Sequence, residues 1–214
     1  MTFLERTDMP SITGGPLKTS FIFAQMHFHW NQDNHTGSEH AIDGRKFACE
    51  AHLVHYNSKY PSFEAACAQP DGLSVAGFLL KVAQTPNPGF QPLVDSLAKV
   101  TYPMQEATLK SEEMLNWILD IDLTANYFTY RGSLTTVPFL ETVTWIVFES
   151  PIEISECQMV GFRSLKLCAL GKKVNCNARA LQQPPPNLRV VHVPPKDTWP
   201  DTASGPSPSK IQVN

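Results

Sequence analysis

Phe21-Ile22-Phe23-Ala24-Gln25-Met26-His27-Phe28-His29-Trp30 alternates residue by residue. One face carries Ile22, Ala24, Met26, Phe28 and Trp30, all apolar. The other carries Phe21, Phe23, Gln25, His27 and His29, and turns polar toward its end. Successive side chains of a strand point to opposite faces. The run therefore predicts a strand with one face in a core and the other lining something wetter. Residues 46–56 predict a second strand, with Glu50, His52 and Val54 on one face and Cys49, Ala51, Leu53 and His55 on the other. The Asp43-Gly44 pair is a tight-turn signal in front of it.

Further strands are expected at residues 72–82, buried on both faces, and at 140–148, where β-branched and aromatic residues dominate. A last one is expected at 188–191. Phe90, Leu93, Val94 and Leu97 recur at helical spacing, and residues 111–121 hold a second short helix. Ser155 with Gln158 three residues on is a capping-box signature, opening a helix with Met159 and Phe162 facing inward. Residues 1–20 read as an irregular lead-in with a Gly14-Gly15-Pro16 turn signal. Strands outnumber helices and mostly lack crossover helices between them. The expected fold is mainly β: one large, mostly antiparallel twisted sheet with short peripheral helices. It forms one domain over residues 1–192, followed by a Pro/Ser-rich, disordered tail over 193–214.

The formal net charge of −3 provides no basic field for nucleic acid. No apolar run is long enough to span a bilayer, and the first residues lack the apolar core of a signal peptide. Five cysteines without C-x-x-C spacing argue against a disulfide framework or a cysteine-held metal. Asn34-His35-Thr36 matches the N-glycosylation acceptor pattern.

Six of the seven histidines lie between positions 27 and 55. His27 and His29 share a strand face, so their imidazoles stand side by side. A third imidazole from a neighbouring strand would give three nitrogens with one coordination position open, the ligand pattern of a catalytic zinc. His52 and His55 are three apart and point to opposite faces of a regular strand; spacing alone does not choose between them. Gln25 shares the face of His27, and Glu50 that of His52. Such groups commonly take the second N–H of a metal-bound imidazole. A threonine hydroxyl held by a buried carboxylate could orient a metal-activated water; 134–136 and 37–40 offer candidates.

These segments resemble the α-class carbonic anhydrases. Gln25 to Trp30 is similar to the family's zinc strand. Gly37-Ser38-Glu39-His40-Ala41-Ile42-Asp43-Gly44 is similar to its GSEHTVDG segment, and Glu50-Ala51-His52-Leu53-Val54-His55-Tyr56-Asn57 to its ELHLVHWN strand. Gly132-Ser133-Leu134-Thr135-Thr136, Val143-Thr144-Trp145-Ile146-Val147 and the Asn177, Arg179, Gln182, Gln183 segment match as well. The resemblance implies a Zn2+ held by His27, His29 and His52, so it selects His52 over His55. It implies that Thr135 and Glu39 orient zinc-bound hydroxide, and that Gln25, Glu50 and Asn177 support the ligands. It implies an apolar substrate wall of Val54, Val75, Leu134, Val143 and Trp145, with Thr136 at the pocket floor. The implied reaction is hydration of carbon dioxide to bicarbonate and a proton. The implied protein is a cytoplasmic monomer serving pH homeostasis, with no nucleic-acid or membrane partner.

The chain also departs from the family pattern. The family's N-terminal portion, with its proton-shuttle histidine and at least one sheet strand, has no counterpart here, so proton transfer is expected to be impaired. Val137 stands where the family has a proline, Phe139 where secreted members have a disulfide cysteine, and Ala178 where an aromatic residue is usual. None of these removes a zinc histidine. The competing expectation is a binding or scaffold protein on the same fold, or an incomplete gene product.

Overall fold

The computed structural model describes residues 9–168, 171–195 and 210–213. The predicted first strand is the long β2, Leu17–Trp30. It begins earlier than its alternation suggests, because Ser11–Gly14 forms a short β1 that folds back onto it. The lead-in is therefore partly ordered. The hairpin turns at Gly14 and Gly15, whose φ angles of 85° and 53° lie in the left-handed region that glycine tolerates.

The alternation in β2 is not clean. Its pairing with β4, Cys49–Asn57, slips between Phe23 and Gln25. This bulge places Ala24 and Gln25 on the same face. In the main core Phe21 and Phe23 join Met26, Phe28 and Trp30, while Ile22 and Ala24 pack with Val54 and Tyr56 on the opposite face. A regular pleat would have kept the two phenylalanines with the histidines. The extra residue lets both aromatics be buried while His27 and His29 look the other way.

Among the described residues one sheet runs in the order β1-β2-β4-β5-β7-β6-β8. β5 is Leu73–Ala83, β6 Tyr127–Gly132, β7 Val143–Ser155 and β8 Val191–Val193. All neighbours are antiparallel except β5 and β7, which run parallel. β7 starts at Val143 rather than 140 and continues past Pro151. The register against β5 shifts between Phe78 and Leu80, opposite that proline, so the missing N–H falls at an irregularity rather than in the ladder. β6 was not foreseen: Tyr127-Phe128-Thr129-Tyr130 is buried on both faces and carries no polar alternation. The last strand lies slightly later than 188–191; it is fixed where His192 stacks on Phe128 and bonds Glu149 at 2.8 Å.

Short helices flank the sheet: α2 Gln91–Leu97, α3 Ser111–Leu115 and α4 Glu156–Arg163 pack on the main core, and α1 Phe63–Cys67 packs with Val54 and Tyr56 on the other face. The Ser155–Gln158 capping box that opens α4 is present, and Met159 and Phe162 are buried. Phe28, Phe90, Trp117 and Phe162 pack between α4 and the sheet. The Asp43-Gly44 turn has φ angles of 48° and 77° and follows the two-residue β3, Ala41–Ile42. β3 pairs with β9, Ile211–Gln212. Residues 196–209 and 214 of the expected tail lie outside the described residues. No helix among the described residues is long and apolar enough to cross a membrane.

His55 faces the main core against Phe23, with ring centroids 5.5 Å apart. Burial lowers its pKa from 6.5 to about 4. Between these two values the unfolded chain binds the proton more readily. This contribution is complete above pH 6.5 and is lost as pH falls toward 4, to a total of roughly 3 kcal/mol. His55→Gln is expected to make stability less pH-dependent over this range. Urea denaturation of both chains from pH 7 to 4.5 measures it; equal slopes would remove His55 from the account.

Candidate metal centre

His27 and His52 lie directly opposite each other in the β2–β4 ladder, and His29 faces Glu50 one pair further on. Ring centroids are 5.1 Å apart for His27 and His29, 5.2 Å for His27 and His52, and 4.6 Å for His29 and His52. Each imidazole offers one nitrogen, and the three lie within 4.8 Å of one another. His55 points to the far face of β4, so the alternative that spacing left open is resolved by the pleat.

The other nitrogen of each ring is already engaged. His27 Nδ1 meets Gln25 Oε1 at 3.1 Å, His29 Nδ1 meets the carbonyl of Asn177 at 3.1 Å, and His52 Nε2 meets Glu50 Oε1 at 2.7 Å. Amide, carbonyl and carboxylate oxygens accept, so each ring donates there. The lone pairs then lie on His27 Nε2, His29 Nε2 and His52 Nδ1. His29 Nε2 is buried with no hydrogen-bond partner, a costly arrangement unless something binds it. Burial, and then the neighbouring His52 and His29, lower the His27 pKa to about 3. Burial and His52 lower that of His29 as well. Neutral imidazoles are the form that binds a metal. Three imidazoles, each with its second nitrogen engaged by an acceptor, fit a zinc ion.

Glu50 is fully buried and accepts four hydrogen bonds. Its Oε2 takes the backbone N–H groups of Glu39 and His40, each at 2.8 Å. Its Oε1 takes His40 Nδ1 at 2.6 Å and His52 Nε2 at 2.7 Å. Burial alone would raise the Glu50 pKa, but His40 and His52 together hold it well below the carboxylate range. His40 Nε2 in turn accepts from the Tyr130 hydroxyl at 2.7 Å. Sequence reasoning missed this His40–Tyr130 pair. The adjacency of His40 to Glu39 was a signal for the first; the second lay on an unforeseen strand. The loop before Glu39 is tight: a Cβ at Gly37 would sit 1.9 Å from the Ala48 carbonyl oxygen.

Glu39 Oε1 accepts the Arg179 N–H at 2.8 Å, and its buried Oε2 has no hydrogen-bond partner. Thr135 is buried in the 133–142 loop, whereas Thr136 beside it is exposed. Val54, Val75, Val143 and Trp145 form one apolar cluster with Tyr130 and Val147, and Leu134 packs against it. The Trp145 ring lies 4.8 Å from that of His52, so the wall adjoins the histidines. Asn177 ties the distant chain to β2: its side chain accepts from Trp30 N and donates to Phe28 O, each at 2.8 Å. His35 lies on an exposed loop. The Asn34 amide is engaged by Glu156 at 2.8 Å and Arg163 at 2.6 Å.

A model of the eukaryotic-type carbonic anhydrase family matches residues 1–193. Carbonic anhydrase 1 of Monodelphis domestica is 38% identical over 176 residues, covering 82% of this chain and 66% of that protein. Carbonic anhydrase 7 of Mus musculus is 42% identical over 164 residues, covering 76% and 61%. The chain thus spans just under two thirds of the length of these relatives.

Glu50→Gln keeps the shape but exchanges an acceptor for a donor beside His40 and His52. Zinc affinity, measured by chelator competition, is expected to fall about 10- to 100-fold. Unchanged affinity would mean that Glu50 does not support His52 as a ligand.

Proposed function

The chain belongs to the eukaryotic-type carbonic anhydrase family, and from that premise we propose that it hydrates carbon dioxide reversibly to bicarbonate and a proton, using zinc held by His27, His29 and His52. The observation that carries this reading is the trio of clustered imidazoles, each oriented by an acceptor, beside an apolar wall. A bound zinc supplies Lewis acidity and a nucleophilic oxygen at neutral pH.

The chain's own residues do the rest. Gln25, Glu50 and the Asn177 carbonyl orient the three rings. Val54, Val75, Leu134, Val143 and Trp145 give an uncharged substrate a dry surface next to the histidines. In this reading the Thr135 hydroxyl would donate to Glu39, whose buried Oε2 has no hydrogen-bond partner. Thr135 could then accept from an oxygen that a bound zinc would supply, and so help to orient it. Thr136, expected at the pocket floor, is exposed beside buried Thr135. Proton departure limits turnover of the 214-residue chain. Among the described histidines outside the trio, His40 and His55 are buried, His192 is held by Glu149 on β8, and His35 is on an exposed loop. The five cysteines are free thiols, which supports a reducing, cytoplasmic location.

Stopped-flow hydration assays on the zinc-loaded chain test this. Imidazole buffer is expected to raise kcat, and an imidazole-independent rate would refute a proton-limited step. Thr135→Val is expected to lower kcat about 100-fold with one zinc still bound. A folded chain that binds one zinc but shows no hydration would favour the scaffold reading instead.

A further inference from the structure

We infer that Lys210–Val213 is a positioning clasp for Glu39, closing over the loop that presents its carboxylate. This segment lies beyond residue 193, where the family match ends. It pairs antiparallel with β3, Ala41 opposite Gln212 and Ile42 opposite Ile211. β3 begins two residues after Glu39, so one side of the loop is held by Glu50 through its N–H groups and the other by β9. Asp43 locks the register twice: its N–H donates to the Lys210 carbonyl at 2.7 Å, and its Oδ1 accepts the Lys210 N–H at 2.8 Å.

The side chains add an apolar anchor. Val213 is 6% exposed and belongs to the cluster of Tyr130, Val143 and Trp145. Ile211 packs both against that cluster and against the group of Ile42, Leu79 and Phe128. Val213 also lines a cavity of about 430 Å³ together with Tyr130, Phe139 and Arg179. Tyr130 bonds His40, and the Arg179 N–H bonds Glu39. The clasp therefore reaches the Glu39 carboxylate from two directions, through the β3 backbone and through the residues that contact Glu39 and His40.

The kinetic readout rests on the hydration reaction proposed above; the exchange readout does not. Ile211→Asp in the full chain releases the clasp. Expected are amide exchange at Glu39 and His40 at least about tenfold faster and a kcat about ten- to a hundredfold lower, with KM and zinc stoichiometry unchanged. A synthetic peptide of residues 205–214, added in trans, is expected to restore both, and Val213→Ile to keep both. Restoration by peptide is something a merely misfolded variant would not show. Should Ile211→Asp fail to fold, Val213→Ala carries the same measurements. Unchanged exchange at Glu39 and His40 would overturn the clasp, as would an unchanged kcat once the amides of 41–43 are released. A wild-type chain with full zinc and no turnover would sink the proposed function alone, and exchange with peptide restoration would still decide the clasp.

Discussion

A carboxylate with no access to water must find its partners inside the protein, and Glu50 finds four. The cost of burying a charge without compensation is many kcal/mol, so these four bonds are obligatory rather than decorative. Two of them fix the backbone of Glu39 and His40, and two fix the rings of His40 and His52. One buried charge thus places a loop and a strand relative to each other. Other features accommodate it. Gly77 lies opposite His52, where a Cβ would come 3.3 Å from Glu50 Oε1. The Gly37 turn lets the loop approach Ala48 closely enough for the Glu39 and His40 amides to arrive.

The two faces of β4 show how the sheet separates stability from chemistry. Cys49, Ala51 and Leu53 feed the aromatic core under α4, while His52 and Val54 face the candidate metal centre. All nine residues of β4 are buried, so the strand has no solvent side. Its flanking strands must then present complementary faces in correct register. The bulge in β2 achieves this by letting the strand change which of its residues face each layer partway along.

The parts legible in the sequence were those governed by local periodicity. The β2, β4 and β5 runs, the α2 spacing and the Ser155 cap follow from residue patterns within about a dozen positions. The His27–His29 pair was legible for the same reason. The choice of His52 over His55 became readable only through family resemblance, although the pleat decides it. The bulge at Ala24 left no signal, because an extra residue in a strand looks like any other apolar position. β6 hid because burial on both faces erases alternation. The bond from the Arg179 backbone N–H to the Glu39 carboxylate joins residues 140 apart, a separation that no local pattern encodes. β9 was masked by the Pro/Ser-rich composition around it.

The bond from His29 to the Asn177 carbonyl joins residues 148 apart. During synthesis His27, His29 and His52 leave the ribosome early, and the group that fixes the His29 ring is added much later. Until then the His29 ring lacks the carbonyl that orients it. A metal centre that relies on this bond would be complete only once the sheet has closed around a segment near the other end of the chain. Chain topology therefore places the last support of the candidate metal centre late in folding.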